Sequence, residues 1–139
     1  MSTLPMTPQE LQDFIDWTRV KIKLHTAPRE HFPHKREIWW ISFGKNIGVE
    51  INGKHASFER PALVVRQYSN NSSLVLPISS KKKEGDWFFV FQNIHGQEST
   101  IYLSQLKTAS HKRFLRKVGK LDAELFSQIE ERLKRVIFS

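Results

Sequence analysis

The feature that most constrains the fold of this chain is a series of short β-type runs that begins at residue 36. Each run is rich in β-branched and aromatic residues, and turn residues separate one run from the next. The gaps between the runs are too short for the helical crossovers that join parallel strands, and there is no glycine-rich phosphate loop. We therefore predict a mostly antiparallel sheet, with strands at 36–43, 61–67, 73–79, 87–92, 99–103 and 116–120.

Amphipathic helices are predicted on both sides of this region. Thr7 and Glu10 form a Thr-x-x-Glu capping box with a proline directly after the threonine, which predicts a helix over 7–25. A closing helix is expected from an Asp122 cap to about Ile137. Together these elements predict a small α+β domain with a strongly curved, barrel-like antiparallel sheet that buries one face under helices.

The first helix belongs to a segment that precedes the sheet. We expect an N-terminal helical extension and linker at 1–34 and one domain at 35–139. One of the adjacent Trp39 and Trp40 must face away from the core. For that tryptophan, we favour burial under the first helix over stacking on an RNA base, because burial leaves less apolar surface exposed. The helix face expected to pack consists of Leu11, Phe14, Ile15, Thr18 and Ile22, and it is widened by Trp17, Val20 and Leu24.

Charge and residue content narrow the classes of function. Lys and Arg number 22 and Asp and Glu 14, and the net charge of +8 favours a polyanionic partner. The absence of cysteine excludes thiol nucleophiles, thiolate metal sites and disulfides, and it suits a reducing compartment. No apolar run approaches the length of about 20 residues that spans a bilayer, so we expect a cytoplasmic protein without membrane contact. His31 and His34 have the spacing of a metal pair but only Glu30 as an adjacent acid, so no metal or other cofactor is expected.

Four short motifs follow one another along the predicted sheet. They are Arg-Glu-Ile-Trp-Trp at 36–40, leading through Gly-Val-Glu at 48–50 to Arg-Pro-Ala-Leu-Val-Val at 60–65; Leu-Pro-Ile-Ser-Ser at 76–80; Leu-Ser-Gln-Leu-Lys-Thr at 103–108; and Val-Gly-Lys-Leu at 118–121. In type and order they resemble segments of the MazF/PemK family of toxins from type II toxin-antitoxin systems. The resemblance covers 36–137 and leaves the first helix unmatched.

The resemblance implies an mRNA interferase, that is, a sequence-selective endoribonuclease that cuts single-stranded RNA without a metal. Family members use the arginine of the Arg-Pro strand and a strand-end threonine, which correspond to Arg60 and Ser79 here. The ribose 2′-oxygen would attack its own phosphate, and the permanent charge and planar fork of Arg60 suit stabilisation of the transition state. The hydroxyl of Ser79 can donate to a phosphate oxygen, although serine lacks the β-branch that stiffens threonine.

Alternatives remain open for the residues of this predicted site. Arg60 could instead form a surface salt bridge, for example with Glu59, and Ser79 could be a strand-end serine that turns the chain. Glu50 and Gln105 fall in the matching motifs and either orient Arg60 or contact the ribose, or they are polar groups satisfied within a loop.

Other polar side chains lie close to the predicted site in sequence. His55, in the long connection 44–59, is either a proton-transfer group or a solvated loop histidine. Lys81, Lys82 and Lys83 directly follow the predicted site strand and either contact RNA phosphates or keep a loop soluble. A second basic cluster consists of Lys112, Arg113, Arg116 and Lys117.

The resemblance also implies partners. Family toxins form homodimers, and a cognate antitoxin neutralises them by folding an acidic, largely disordered segment over the RNA groove. The helix at 7–25 could recruit that antitoxin or seal the dimer. A second hypothesis is a non-catalytic protein of the same fold that binds RNA or a protein target such as a topoisomerase. Topoisomerase-directed relatives end in Trp-Gly-Ile, whereas this chain ends Arg-Val-Ile-Phe-Ser, which argues against that target.

Overall fold

A computed structural model describes residues 5–139 as two helices, seven strands and two short 3₁₀ turns. The helices are α1 (Pro8–Thr26) and α2 (Ala123–Phe138), the 3₁₀ turns are Leu103–Gln105 and His111–Arg113, and the strands are β1 (Glu37–Ser42), β2 (Glu59–Gln67), β3 (Ser72–Ser79), β4 (Phe88–Gln92), β5 (Glu98–Tyr102), β6 (Lys107–Ser110) and β7 (Phe114–Lys120). Both helices and all six predicted strands are confirmed. Residues 1–4 of the predicted extension lie outside the described residues.

The strands form one antiparallel arrangement in the order β4-β5-β3-β2-β1-β7, with β6 paired to β3. Register shifts interrupt the pairing of β1 with β7 and of β2 with β3, and such irregularities increase the bend and twist of a sheet. The predicted α+β class is confirmed. Within residues 5–139 the outer strands β4 and β7 do not pair with each other, so the curved sheet stays open.

The central strands bury side chains on both faces, because successive residues of a strand point in opposite directions. On one face Ile38 and Leu63 belong to a cluster that includes the inward side of α2. That side consists of Phe126, Ile129 and Leu133, the core of the predicted stripe. On the other face Trp39 packs with a second cluster and meets Phe114 edge to face at 5.8 Å. The sheet is therefore a two-sided frame, and α2 closes one side.

The helix α1 begins as predicted but packs through one edge of the predicted face. Its capping box between Thr7 and Glu10 is formed. The one buried side chain of the helix is Trp17, whereas Leu11 and Ile22 of the predicted face are 52% and 59% exposed. The prediction was right that Trp17 belongs to the packing face and wrong about the centre of that face, which is mostly exposed. A helix makes contact where its largest side chain finds a site, and Trp17 finds one beside the connection between β1 and β2.

The predicted cover of a tryptophan by α1 was also wrong. Trp39 is buried, and Trp40 is only partly buried, on the opposite side of β1. The guanidinium of Arg116, on the paired strand β7, lies 4.8 Å from the centre of the Trp40 ring. The exposed ring face of Trp40 is therefore covered by the cation of Arg116, and not by α1 as the sequence suggested. Neither helix within residues 5–139 has the length and apolar character of a membrane span.

Candidate active site

Arg60 lies near the start of β2, opposite Ile41 of β1, with its side chain half-buried. Its Nε donates a hydrogen bond to the backbone oxygen of Asn52 at 2.7 Å, and its Nη1 donates to the backbone oxygen of Ile78 at 3.3 Å. In the described part of the chain, Nη2 makes no protein hydrogen bond and no carboxylate oxygen lies within 4.0 Å of the guanidinium. Two carbonyl groups thus hold the fork while part of it stays open to another ligand.

Burial lowers the pKa of Arg60 from its ordinary value, and the nearby Tyr102 phenol partly offsets this effect. Arginine titrates so far above neutral pH that the group remains a cation. A cation without a counter-ion at a partly desolvated site interacts strongly with an arriving anion, because water screens it less than at an open surface. The electrostatics therefore favour an anionic ligand.

The alternative of an Arg60–Glu59 salt bridge is wrong. Neighbouring residues of a strand point to opposite faces, so the two side chains diverge. Glu59 is instead paired with Arg116 of β7, with 2.6 Å between Oε2 and Nη2.

Ser79 is the last residue of β3 and pairs with Thr100 of β5. It follows Ile78 directly, so the strand end that binds Arg60 also carries the serine. Only 6% of Ser79 is exposed, and its Oγ accepts a hydrogen bond from the backbone N–H of Lys81 at 3.2 Å. This is the geometry of a serine that turns the chain after a strand. The hydroxyl hydrogen is not used in that bond and can still be donated.

Gln105 and Glu50 bind the loop between β1 and β2 rather than Arg60. The side chain of Gln105 accepts from Ile51 N–H at 2.6 Å and donates to the backbone oxygen of Val49 at 3.1 Å. Glu50 Oε1 accepts from Ile47 N–H at 3.0 Å. Gln105 therefore braces the segment that leads directly to the carbonyl of Asn52. A groove of about 690 Å³ lies beside it, lined by Phe43, Asn46, Val49, Glu50, Ile51, Ser104, Gln105, Leu106 and Lys107.

Comparison with known proteins identifies the family. A model of the PemK-like, MazF-like toxin of type II toxin-antitoxin systems matches residues 34–137. This chain belongs to that family. The resemblance inferred from the four motifs is thereby confirmed, and the matched region excludes α1. No curated protein matches the chain.

Solved structures of MazF toxins share the fold of this PemK-like chain. MazF from Deinococcus radiodurans superposes with a TM-score of 0.66 at 16% identity, over 79% of this chain and 100% of that one. A MazE–MazF complex from the same organism superposes with a TM-score of 0.59 at 14% identity, over 79% of this chain and 100% of that one. An endoribonuclease in complex with its cognate antitoxin from a mycobacterial species has a TM-score of 0.56 at 8% identity, over 76% of this chain and 94% of that one. At these identities the likeness shows the fold alone.

The other predicted site residues of this MazF-like chain lie in different places. His55 is exposed and lines a separate cavity of about 650 Å³ with Asp13 and Asp16 of α1 and with Asn52, whose carbonyl binds Arg60. Lys81, Lys82 and Lys83 are exposed in the loop that follows Ser79. The structure thus brings Arg60, Ser79 and the three lysines to one end of the sheet, and it places His55 in a cavity between α1 and the loop before β2.

The second basic cluster of the PemK-like chain is used within the fold. Arg116 and Lys117 pair with Glu59 and Glu37, at 2.6 and 2.8 Å. The remaining two members donate to backbone oxygens: Arg113 Nη1 to Ser42 at 3.0 Å and Lys112 Nζ to His25 at 2.7 Å. The sequence suggested a nucleic-acid-binding surface here, but these four side chains mainly make contacts within the fold that stabilise the positions of β7 and α1.

Two groups at the candidate site were missed by sequence reasoning. Tyr102, at the end of β5, is close enough to act on the charge of Arg60, and its position directly before the 103–108 motif was the available signal. The carbonyl of Asn52 left no signal, since any residue can supply a backbone oxygen. Residues 5–139 contain no group of three or more His, Asp or Glu side chains placed to hold a metal ion. The expectation that no cofactor takes part remains a prediction.

Proposed function

We propose that this chain is the toxin of a type II toxin-antitoxin pair and a metal-independent, sequence-selective endoribonuclease that cuts single-stranded mRNA. The observation that carries the proposal is the state of Arg60: two carbonyls orient its guanidinium, and among residues 5–139 no carboxylate neutralises it and no group bonds to Nη2. Membership of the PemK-like, MazF-like family supports the assignment.

The proposed reaction transfers the phosphate from a 5′-oxygen to the neighbouring 2′-oxygen. The 2′-oxygen attacks phosphorus and loses its proton, the bond from phosphorus to the 5′-oxygen breaks, and that oxygen takes up a proton. The products are a 2′,3′-cyclic phosphate and a 5′-hydroxyl. Arg60 stabilises the additional negative charge on the phosphate, and the Ser79 hydroxyl donates to a phosphate oxygen.

The exposed lysines after Ser79 supply sequence-independent affinity for the RNA backbone. Lys81, Lys82 and Lys83 follow the proposed catalytic strand end directly, so RNA bound at Arg60 passes close to them. With about four phosphates contacted, the logarithm of affinity falls with the logarithm of salt concentration at a slope of about −3, from roughly 0.7 per phosphate of a single strand.

We further propose a cytoplasmic homodimer that a cognate antitoxin neutralises. One structural neighbour is an endoribonuclease bound to its cognate antitoxin, and others are MazE–MazF complexes, which supports such a partner here. The net charge of +8 suits an acidic antitoxin segment. Residues 35–139 form the proposed toxin domain and 1–34 its extension.

The test incubates the purified protein with a long mRNA in EDTA and maps the new 5′ ends. We expect 5′-hydroxyl ends at a recurring sequence, loss of cutting in Arg60→Ala, and unchanged cutting in the control Arg19→Ala, which alters an exposed arginine on α1. Intact RNA, or equal cutting by Arg60→Ala, refutes the proposal. RNA that is bound but left whole identifies the chain as a non-catalytic binder.

A further inference from the structure

The helix α1 lies outside the family-matched residues 34–137, yet it contacts the loop that holds Arg60. The contact is made by Trp17, which is 8% exposed. The loop leaves β1 after Ser42 and enters β2 at Glu59, so its two ends lie side by side. We call residues 43–58 the neck loop, because Trp17 packs where these two ends meet.

Backbone hydrogen bonds close the base of the neck loop. The N–H groups of Phe43 and Gly44 both donate to the backbone oxygen of Phe58, at 2.8 and 3.1 Å. The ring of Phe58 meets the indole of Trp17 edge to face, with 5.7 Å between centroids. The tryptophan therefore packs against the residue that accepts both closing bonds.

Gly44 brings the indole onto the other end of the loop. Its φ is +98°, a conformation that L side chains rarely adopt. A β-carbon at this position would lie 2.5 Å from two atoms of the Trp17 ring, Cε2 and Cζ2. The glycine thus permits both the turn and direct contact between the indole and the loop backbone, and any larger residue would force the two apart.

Two cationic side chains complete the seat of the helix. The guanidinium carbon of Arg113 lies 5.7 Å from the centre of the Trp17 ring, and Arg113 also donates to Ser42 at the end of β1. One turn earlier on α1, Phe14 lies under the ammonium group of Lys45 at 5.4 Å. The helix is therefore joined both to the frame of the sheet and to the neck loop.

A short series of bonds leads from this contact to Arg60. The oxygen of Gly44 accepts from the N–H of Gly53 at 2.9 Å, and the preceding residue, Asn52, provides the oxygen that binds Arg60 Nε. We propose that Trp17 is a positioning residue: by packing on Gly44 and Phe58 it holds the neck loop so that the Asn52 carbonyl orients Arg60. The link to RNA cleavage rests on the function proposed above.

A helix that merely covers apolar surface would behave differently. Loss of Trp17 would then lower stability without altering the hydrogen bonds of the neck loop or the bond between Arg60 and Asn52. As a positioning residue, Trp17 acts through those bonds, and its removal changes them in protein that is still folded.

The experiment compares Trp17→Ala, Trp17→Phe and the control Ile22→Ala in the full-length chain, well below the unfolding temperature of each. Ile22 is on the same helix but 59% exposed. Amide hydrogen exchange reports the loop through the N–H groups of Gly44, Gly53 and Lys54. NMR of the arginine Nε–H reports the bond to Asn52, and single-turnover cleavage at saturating RNA reports the reaction.

In Trp17→Ala we expect faster exchange in the neck loop, a shifted or faster-exchanging Arg60 Nε–H, and cleavage slowed by about ten- to a hundredfold, since small misplacements of a positioned group cost rates of that order. Amides in the pairing of β3 with β5 remain protected. Trp17→Phe keeps a ring against Phe58 and recovers part of each effect, and Ile22→Ala matches wild type.

Unchanged exchange in the neck loop of folded Trp17→Ala overturns the proposal, and so does a released loop with undiminished cleavage. If Trp17→Ala does not fold, Trp17→Phe decides by the same readouts. If wild type leaves RNA intact, the proposed function fails, and the link from Trp17 to catalysis falls with it. The exchange and NMR measurements then separately show whether Trp17 holds the loop.

Discussion

The two loops that flank Arg60 and Ser79 are held in opposite ways. In the neck loop, Asn46 bonds to Phe43 and Ile51, Gln105 bonds on both sides of residue 50, and Trp17 packs against the base. In the loop at 80–87, Lys81 N–H bonds to Ser79, Phe88 N–H bonds to Gly85, and only the far end is tied to a distant segment, by Leu103 N–H to the backbone oxygen of Trp87. The three lysines lie between these bonds and are exposed. The neck loop is fixed by several side chains of other segments, whereas the loop at 80–87 mainly presents positive charge.

This difference matches two different physical tasks. A group that stabilises a transition state works best when it is oriented beforehand, because no free energy is then spent on reorganisation during the reaction. Attraction of a polyanion by exposed ammonium groups depends on charge density and needs little fixed geometry. We therefore expect changes in the neck loop to alter the rate of cleavage, and changes in the lysine loop to alter affinity and its salt dependence.

The largest expected effect comes from Arg60→Lys. A lysine keeps the charge but has a single nitrogen, which cannot bind the carbonyls of Asn52 and Ile78 and also stabilise a phosphate. We expect the single-turnover cleavage rate to fall by about 10²- to 10³-fold. Binding to RNA should change far less. A lysine variant that cuts RNA within about threefold of the wild-type rate would show that the positive charge alone suffices. The fixed position of the neck loop would then not contribute to catalysis.

A smaller loss of rate is expected from Gln105→Leu. The change removes the two bonds to Ile51 and Val49 while keeping a similar volume. Each hydrogen bond contributes about 1 kcal/mol, and only part of this free energy affects the orientation of Arg60. We therefore expect the cleavage rate to fall by about tenfold. The matched control is Ser104→Ala, on the same 3₁₀ turn and exposed. Weaker RNA binding with an unchanged rate at saturation would place Gln105 on the substrate instead.

Replacement of all three lysines by serine should leave the rate at saturating RNA unchanged and weaken binding. Loss of three phosphate contacts reduces the steepness of the salt dependence by about 2, at roughly 0.7 per contact. Lys134→Ser, which removes an exposed lysine of α2, serves as the control. An unaltered slope of log affinity against log salt in the triple variant would remove the lysine loop from the RNA path.

The smallest expected effect concerns the sheet that supports both loops. His111 is buried, with Nδ1 donating to the Asn70 oxygen and Nε2 accepting from Ser73, both at 2.7 Å. Burial lowers the pKa of His111, the Arg29 and His34 charges add to this, and the hydrogen bond to Asn70 opposes it.

Below the ordinary histidine pKa of about 6.5, the unfolded chain therefore binds a proton that the folded chain excludes. The contribution of His111 to stability is complete above that pH and is lost as the pH falls towards the lowered pKa, at no more than about 1.4 kcal/mol per pH unit. Denaturant unfolding between about pH 7.5 and 5.5 measures it against His111→Asn, with His95→Asn as an exposed control. Equal pH dependence in wild type and His111→Asn would contradict this assignment.

Much of the fold was predictable because its signals are local. Alternating runs marked six strands, and capping residues marked the starts of both helices. The strand β6 was missed because Lys107–Ser110 has only one β-branched residue and no aromatic one, and it forms a strand because β3 offers it an edge to pair with. The packing face of α1 was predicted only in part: the sequence showed the apolar face with Trp17 at its edge, but it did not show the site on the sheet that makes Trp17 the buried residue.

By itself, the sequence determined the α+β class, the membership of the toxin family and the charged residues available for chemistry, because periodicity, caps and contiguous motifs are properties of short segments. Only the tertiary structure decided that Glu59 pairs with Arg116, that His55 lines a cavity with α1 and that the Asn52 carbonyl holds Arg60. These outcomes depend on strand register and on contacts between distant segments. Several of the deciding atoms belong to the backbone, which is the same in every residue and so leaves no trace in the sequence.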